Sequence, residues 1–155
     1  MRSKIKTFFL ITSLVLLSST IYSQNKGFGI GIILGEPSGI SGKYWLSAND
    51  AIDFGIGYSF LSSDSEFSFH TDYLYHIKDL IKSDYKFLFY YGFGLRVRLR
   101  ENNSGAYGVR GVAGILWLLD NTPIDLFFEF APSFRLLPNT GLDLDIGLGG
   151  RYYFE

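Results

Sequence analysis

The chain of 155 residues has a formal net charge of −1, no cysteine, 18 glycines and an aromatic content of 18%. The absence of cysteine excludes disulfides, thiolate metal sites and a lipid-modified cysteine anchor. The near-neutral charge does not favour nucleic-acid binding, which is typical of proteins with a strongly basic face. Many aromatic residues and glycines beside few charges are unusual in a water-soluble domain, and they predict a large apolar exterior.

The first predicted element is a secretory signal peptide over residues 1–23. Arg2, Lys4 and Lys6 form a positive segment, and the apolar segment 8–17 follows. Because this apolar segment is shorter than the roughly 20 residues of a transmembrane helix, a membrane anchor is the less favoured alternative. We expect cleavage after Ser23, with Ile21 standing where a small residue is usual. The expected mature protein, residues 24–155, forms one domain.

After the signal peptide, segments of about ten residues alternate apolar and polar side chains, and turn residues separate them. The pattern predicts eight strands, over residues 26–34, 39–46, 51–61, 67–77, 85–100, 107–119, 124–136 and 142–154. The separating segments are short and rich in turn-forming residues, so each suits a hairpin connection. Residues 78–84 fit either a helical turn or a short loop. The predicted fold class is all-β, an eight-stranded antiparallel up-and-down transmembrane β-barrel.

The fifth predicted strand illustrates how the two faces differ. Phe93, Leu95 and Val97 share one face, and Gly94 and Arg96 share the other. Successive side chains of a strand point to opposite faces, so each segment has an apolar side and a polar side. Since an eight-stranded barrel has a narrow lumen that small and interlocked polar side chains fill, we expect the glycine-bearing face inside.

Charged residues within the strands fall on this expected inner face. Lys86 and Arg100 belong to the set, and the others are expected to form a lumen network of ion pairs, because an unpaired buried charge is costly. The expected network consists of Lys43, Asp53, Asp72, Arg96, Arg98, Arg110, Asp125, Glu129, Arg135, Asp143, Asp145 and Arg151. The sixth strand fits least well, since Val112 and Leu116 fall on the inner face and Gly111 on the outer face.

Two other barrel types are less compatible with this pattern. A soluble lipocalin-like ligand-binding barrel would place glycines along its water-facing side, where they weaken strands without benefit. Its lumen would also have to hold more large apolar side chains than eight strands enclose. A water-filled channel is not expected, because such pores have about 16 strands or more.

Ser68, His70 and Asp72 share the inner face of the fourth strand and are the candidate catalytic set. Some small outer-membrane barrels modify lipid A acyl chains with a serine, a histidine and an acid, so a lipid A-modifying enzyme is the alternative function. Side chains at i and i+2 are about 7 Å apart, and inner-face residues do not reach lipid. We therefore expect a non-enzymatic protein without cofactor or metal. His76, near the periplasmic end of the fourth strand, is expected to be a solvated residue at the rim of the barrel and not a metal ligand.

An even number of strands places both termini on the periplasmic side. Turns 36–38, 62–66, 101–105 and 137–141 are then expected to face outward, and turns 47–50, 78–84 and 120–123 the periplasm. Outward aromatic residues near strand ends are expected to lie at headgroup depth, among them Tyr44, Tyr58, Tyr75, Tyr107, Trp117 and Tyr152. Outer-membrane lipids and lipopolysaccharide are the expected partners.

The chain as a whole resembles the small outer-membrane barrels of the OmpA and OmpX type. Its last strand, residues 146–154, resembles the terminal signal read by the barrel-assembly machinery, although Glu155 follows the final aromatic residue. Three stretches, LGEPSGISGKYW at 34–45, PIDLFFEFAP at 123–132 and GGRYYF at 149–154, resemble a family of uncharacterised outer-membrane barrels of spirochaetes and other bacteria. The resemblance implies the barrel fold, an outer-membrane location and the assembly machinery as a partner during insertion. It implies no activity, so envelope structure or surface interaction is the expected role.

Overall fold

The computed structural model describes residues 27–59, 66–100 and 105–154, which form a closed antiparallel β-barrel. Consecutive strands pair with each other, and the last strand pairs with the first. The strands are β1 (Gly27–Glu36), β2 (Ser38–Trp45), β3 (Asp50–Ser59), β4 (Glu66–Ile77), β5 (Lys86–Arg100), β6 (Gly105–Leu118), β7 (Ile124–Leu137) and β8 (Gly141–Phe154). The predicted all-β class and the eight-stranded antiparallel up-and-down barrel are confirmed. The predicted signal peptide, residues 1–23, lies outside the described residues.

The connections that the structure describes agree with the expected hairpins, and they decide the form of residues 78–84. Pro37 alone joins β1 to β2, since both strands extend further than predicted. Residues 78–85, between β4 and β5, form an irregular turn with a positive φ of 61° at Asp79 and no helix. Among the described residues, no helix is long and apolar enough to cross a membrane.

The two faces of the wall differ as the alternation predicts. Phe93 points outward with 70% of its surface exposed, whereas Arg96 on the same strand is 4% exposed inside the barrel. Val112 and Leu116 of β6 are buried on the inner face. Gly111 lies on the outer side, where a Cβ atom would meet nothing within 4 Å. The pairing of β6 with β7 is interrupted next to this glycine, where Pro132 has no N–H to donate.

Glycines of the inner face allow neighbouring strands to approach closely. A Cβ atom on Gly31 of β1 would overlap the carbonyl oxygen of Gly150 on β8. A Cβ atom on Gly94 of β5 would overlap both the backbone and the carboxylate of the adjacent strand, at Thr71 and Asp72. These glycines therefore make room for strand pairing and for the charged side chains of the lumen.

The wall of the barrel is taller on one side than on the other. β1 has 10 residues and β5 has 15. With a rise of about 3.3 Å per residue and a tilt of about 40°, these strands span about 25 Å and about 38 Å along the barrel axis. At the end that holds Gly27, β1 begins level with the last residue of β8, since Phe28 lies opposite Phe154. The difference in height therefore lies mostly at the other end.

Candidate functional site: the charged network of the lumen

Asp145 of β8 organises the half of the lumen that lies away from the chain termini. Its Oδ1 atom is 2.7 Å from Nη2 of Arg96 and 3.5 Å from Nη2 of Arg98, and its Oδ2 atom is 3.3 Å from Nη1 of Arg110. Arg96 and Arg98 come from β5 and Arg110 comes from β6. One buried carboxylate thus connects three strands, and the three guanidinium groups offset the cost of burying it.

Arg110 extends the same network across the lumen. Its Nε atom lies 3.1 Å from Oδ2 of Asp72 on β4, and its Nη2 atom contacts Oε1 of Glu129 on β7. With Asp145, this single side chain pairs with three carboxylates from three strands. The planar guanidinium has five N–H donors in a fixed fork, which is why one arginine can serve several carboxylates at once.

Glu66 is a member of this network that the sequence interpretation missed. The sequence predicts that it belongs to the outward turn 62–66, but Glu66 is the first residue of β4 and is fully buried. Its Oε2 atom lies 3.3 Å from Nη1 of Arg98, which also lies 3.7 Å from Oδ1 of Asp143. The alternation of β4 carries the signal, because Glu66 shares its face with Ser68 and His70.

Arg151 is the centre of a second cluster nearer the chain termini. Its Nη2 atom lies 3.0 Å from Oδ2 of Asp53 on β3, and its Nη1 atom lies 3.9 Å from Oδ2 of Asp125 on β7. Its Nε atom donates to Oγ of Ser41 at 3.0 Å. The guanidinium carbon is 3.9 Å from the centre of the Phe127 ring, a distance typical of a cation–π contact.

His76 lies inside the barrel, so its expected place on a solvated rim is wrong. The side chain is fully buried, and Nε2 lies 2.7 Å from Nζ of Lys43. Since an ammonium group can only donate, Nε2 accepts and Nδ1 carries the proton that it donates to the Asn49 carbonyl, 3.0 Å away. The rings of Trp45 and Tyr90 close over the Lys43 ammonium, at 4.7 and 5.1 Å from their centres. Lys43 is therefore in the lumen, but its direct partner is a histidine and not a carboxylate.

Three other positive residues expected on the inner face stand apart from these clusters. Lys86 is at the rim, where 66% of its side chain is exposed and its Nζ atom pairs with Asp120 at 3.1 Å. Its expected position on the inner face is wrong, because β5 begins at this residue. Arg135 of β7 is half-buried, and the structure gives it no ion pair within the described residues. The side chain of Arg100 lies outside the described part of the chain.

Ser68, His70 and Asp72 make separate contacts in the lumen. Oγ of Ser68 accepts a hydrogen bond of 3.3 Å from Nε of Arg96, and Asp72 pairs with Arg110. The His70 ring lies against Gly55 of the adjacent strand, where a Cβ atom would overlap it. No hydrogen bond joins these three side chains, each of which the structure describes. They do not form the serine–histidine–acid relay that nucleophilic catalysis requires.

A cavity lies at each mouth of the barrel. A cavity of about 10 Å³, room for about one water, lies between Arg98 and Arg135 at the end with the taller wall. A wider and open cavity of about 280 Å³ lies at the opposite mouth, where Ile81 of the irregular turn faces Leu88 and Leu118. Among the described residues, no group of three or more histidines and carboxylates is arranged to hold a metal ion.

Comparisons with known proteins relate this chain to others by fold. No protein-family model and no curated protein matches the sequence. The N-terminal β-barrel domain of Pseudomonas aeruginosa OprF is similar in structure, with a TM-score of 0.60 and 13% identity, over 82% of this chain and 96% of that one. Neisserial surface protein A has a TM-score of 0.49 and 13% identity, over 82% of this chain and 94% of that one. Ail, the attachment invasion locus protein of Yersinia pestis, has a TM-score of 0.43 and 13% identity, over 83% of this chain and 99% of that one. At this identity the similarity shows the barrel fold alone.

Proposed function

We propose that the protein is a non-enzymatic integral outer-membrane β-barrel that contributes to envelope structure or to surface interaction. The observation that carries the proposal is an apolar belt around the whole outer wall. A soluble protein rarely exposes so large a continuous apolar surface, whereas lipid tails would cover it. Each strand contributes at least one large side chain to this belt, including Ile32, Ile40, Ile56, Phe69, Phe93, Val109, Phe128 and Leu148.

Aromatic residues near the chain termini support this placement. The Tyr85 ring packs on Trp117 at 5.7 Å, on the outer wall near the start of β5. The Tyr73 hydroxyl donates to Oδ1 of Asp50 at 2.7 Å, so an outward ring carries a polar end towards the β2–β3 turn. Rings with one apolar and one polar part are favoured at the headgroup level of a bilayer. We propose that this end faces the periplasm, after export and cleavage following Ser23.

The filled lumen favours a structural or surface role over conduction. The side chains of Arg110 and Arg151 lie across it, each 1% exposed, and their carboxylate partners come from several strands. These contacts would have to break for a solute to pass. The proposed partners are accordingly lipids and lipopolysaccharide around the outer wall, and the barrel-assembly machinery during insertion.

Membrane fractionation tests the location. The full chain is expressed in a bacterium with an outer membrane, and membranes are washed with alkaline carbonate and urea. We expect the protein to stay in the outer-membrane fraction and to migrate faster on a gel before boiling than after, because a closed barrel resists unfolding by detergent. Release by the wash together with an unchanged mobility would contradict the proposal and favour a soluble ligand-binding barrel.

Mass spectrometry of lipid A tests the non-enzymatic part of the proposal. Lipid A from cells that produce the protein is compared with lipid A from cells that produce the Ser68→Ala or the His70→Ala variant, and from cells without the protein. We expect identical acyl-chain masses in all samples. A mass change that both substitutions abolish would replace the proposal with a lipid A-modifying activity.

A further inference from the structure

β8 has an unpaired edge at the end of the barrel with the taller wall. Its pairing with β1 ends where Ile146 lies opposite Glu36. On its other side, pairing with β7 continues to Gly141, opposite Arg135. Residues 141–145 of β8 are therefore held from one side only, and the side towards the β1–β2 hairpin has no strand.

The backbone groups of Leu142 and Leu144 point into this free edge. The N–H of Tyr153 donates to the carbonyl oxygen of Pro123, which precedes β7. The backbone N–H and C=O groups of every second residue towards the start of β8, from Arg151 to Gly141, therefore point to β7. The backbone groups of the residues between them point to β1. The carbonyl oxygen of Ile146, for example, closely approaches Gly35 of β1. By this alternation, Leu142 and Leu144 each present one N–H and one C=O to the free side.

Nothing in the described residues covers the edge. The β1–β2 turn leans the other way, because the Pro37 ring lies against Gly57 of β3. Leu142 is 81% exposed and Leu144 is 47% exposed. The edge begins only where β1 ends, at the top of the wall of about 25 Å, which is the height of the apolar band of an outer-membrane barrel. An open strand edge is compatible with this position, whereas the hydrocarbon core does not tolerate one.

We propose that the edge formed by residues 141–145 binds an extended polypeptide segment, which adds a strand to β8 outside the membrane. This inference rests on the proposed role in surface interaction and names the class of partner. Strand addition uses backbone hydrogen bonds for affinity and alternate side chains for specificity. The segment would place apolar residues beside the outward Leu142 and Leu144, and a positive residue beside the inward Asp143.

A second copy of the chain fits this edge less well. Asp143 shares the single positive charge of Arg98 with Glu66 and Asp145 and is the most distant of the three, at 3.7 Å, so part of its negative charge is left unbalanced. Two copies of β8 related by a twofold axis near the middle of the edge would bring two such Asp143 side chains opposite each other. Like charges directly opposite on paired strands are destabilising. A partner with a lysine or arginine at that position removes the repulsion, and the charge of the edge therefore favours a different polypeptide.

Hydrogen–deuterium exchange on the full barrel in lipid nanodiscs tests the proposal. The probe is a synthetic peptide of alternating valine and lysine, and the control is the same peptide with N-methylated amides. We expect the Leu142 and Leu144 amides to exchange fast in the free protein and to be protected by the probe only. Absence of protection at saturating probe, or equal protection by the methylated peptide, would overturn the proposal.

Substitution at Leu144 separates backbone pairing from side-chain contact. Leu144→Pro removes an N–H from the free edge while the bonds to β7 are kept, and Leu144→Ala removes only the side chain. We expect peptide affinity to fall about tenfold or more in Leu144→Pro and to change less in Leu144→Ala. Equal affinity of Leu144→Pro and the unmodified protein would overturn the inference.

Two further outcomes keep this inference distinct from the proposed function. Protection of the same amides that rises with protein concentration, without peptide, would identify a second copy as the partner and overturn the peptide proposal. A protein that stays in washed outer membranes but shows no peptide-dependent protection would leave the location intact and remove the strand-addition site. Loss from the membrane fraction would instead contradict the proposed function itself.

Discussion

The Nε atom of Arg110 lies 3.1 Å from Oδ2 of Asp72, and this contact joins β6 to β4 across the lumen. The two strands are not neighbours in the wall, since β5 lies between them. Backbone pairing holds each strand only to its neighbours, so side chains such as Arg110 provide the direct connections across the barrel. Both side chains are 1% exposed, and neither charge has water as an alternative partner.

Replacing Arg110 is expected to destabilise the barrel strongly. Arg110→Met leaves the carboxylates of Asp72, Glu129 and Asp145 without a shared cation, and we expect a loss of about 3–5 kcal/mol in the free energy of unfolding. The matched control is Lys86→Met, which removes an ion pair at the exposed rim and should cost less than about 1 kcal/mol. Urea-dependent unfolding in detergent, followed by tryptophan fluorescence, measures both. Equal losses would contradict the role of the cross-lumen contact.

Reversing the charge of Arg98 is expected to cost more than neutralising it. Arg98 is surrounded by Glu66, Asp143 and Asp145, so Arg98→Glu would gather four carboxylates at one end of the lumen. We expect a lower urea midpoint for Arg98→Glu than for Arg98→Met. Because like charges are screened by salt, adding salt should recover part of the difference. An unchanged midpoint of unfolding for Arg98→Glu would show that the charges are not coupled.

The contact between Lys43 and His76 predicts a rescue. His76→Leu removes the acceptor of the buried ammonium, and an unsatisfied buried charge costs at least about 1–3 kcal/mol. Adding Lys43→Met removes the charge as well, so the double variant is expected to be more stable than His76→Leu alone. A double-mutant cycle of unfolding free energies checks this. Additive effects of the two substitutions would contradict a direct interaction.

A charge on the outer wall is expected to interfere with insertion. Phe93 is 70% exposed near the middle of β5, and Phe93→Asp should therefore block insertion. Phe93→Arg is expected to make folding into the bilayer less favourable by about 2–4 kcal/mol, the cost of an arginine at mid-bilayer. Tyr85→Arg, at the end of the barrel, is the control and should cost about 0–1 kcal/mol. The yield of folded barrel in lipid vesicles measures the effect. Normal insertion of both Phe93 variants would contradict the proposal that the outer wall lies in lipid.

Two glycines of opposite faces give contrasting alanine substitutions. In Gly31→Ala the new methyl group would overlap the carbonyl of Gly150, so we expect a loss of about 1–3 kcal/mol. In Gly111→Ala the methyl group points into open space, and we expect stability to be unchanged or slightly higher, because alanine restricts the unfolded chain. Thermal unfolding of the two variants in the same detergent compares them directly. Similar effects would mean that strand contact does not explain the inner-face glycines.

Much of the fold is predictable because the alternation is a local property. Side chains of a strand change face at every residue, so Phe93 and Gly94 by themselves indicate an apolar and a polar face. The same rule places Glu66 inside the barrel, although its position next to a turn favours a turn residue. The position of His76 near a strand end favours a solvated side chain, but the rings of Trp45 and Tyr90, which come from other strands, cover it in the barrel.

The strands, their number and the face that each turns to the outside of the barrel are predictable from the sequence, because they follow from neighbouring residues. Which charges meet becomes evident only in the closed barrel, since the partners of Arg110 and Arg151 depend on strand register and on the reach of side chains across the lumen. The same holds for the free edge of β8. It arises because β1 ends at Glu36 while β8 continues past Ile146, and the relative height of two strands that are distant in the chain is fixed only when the barrel closes.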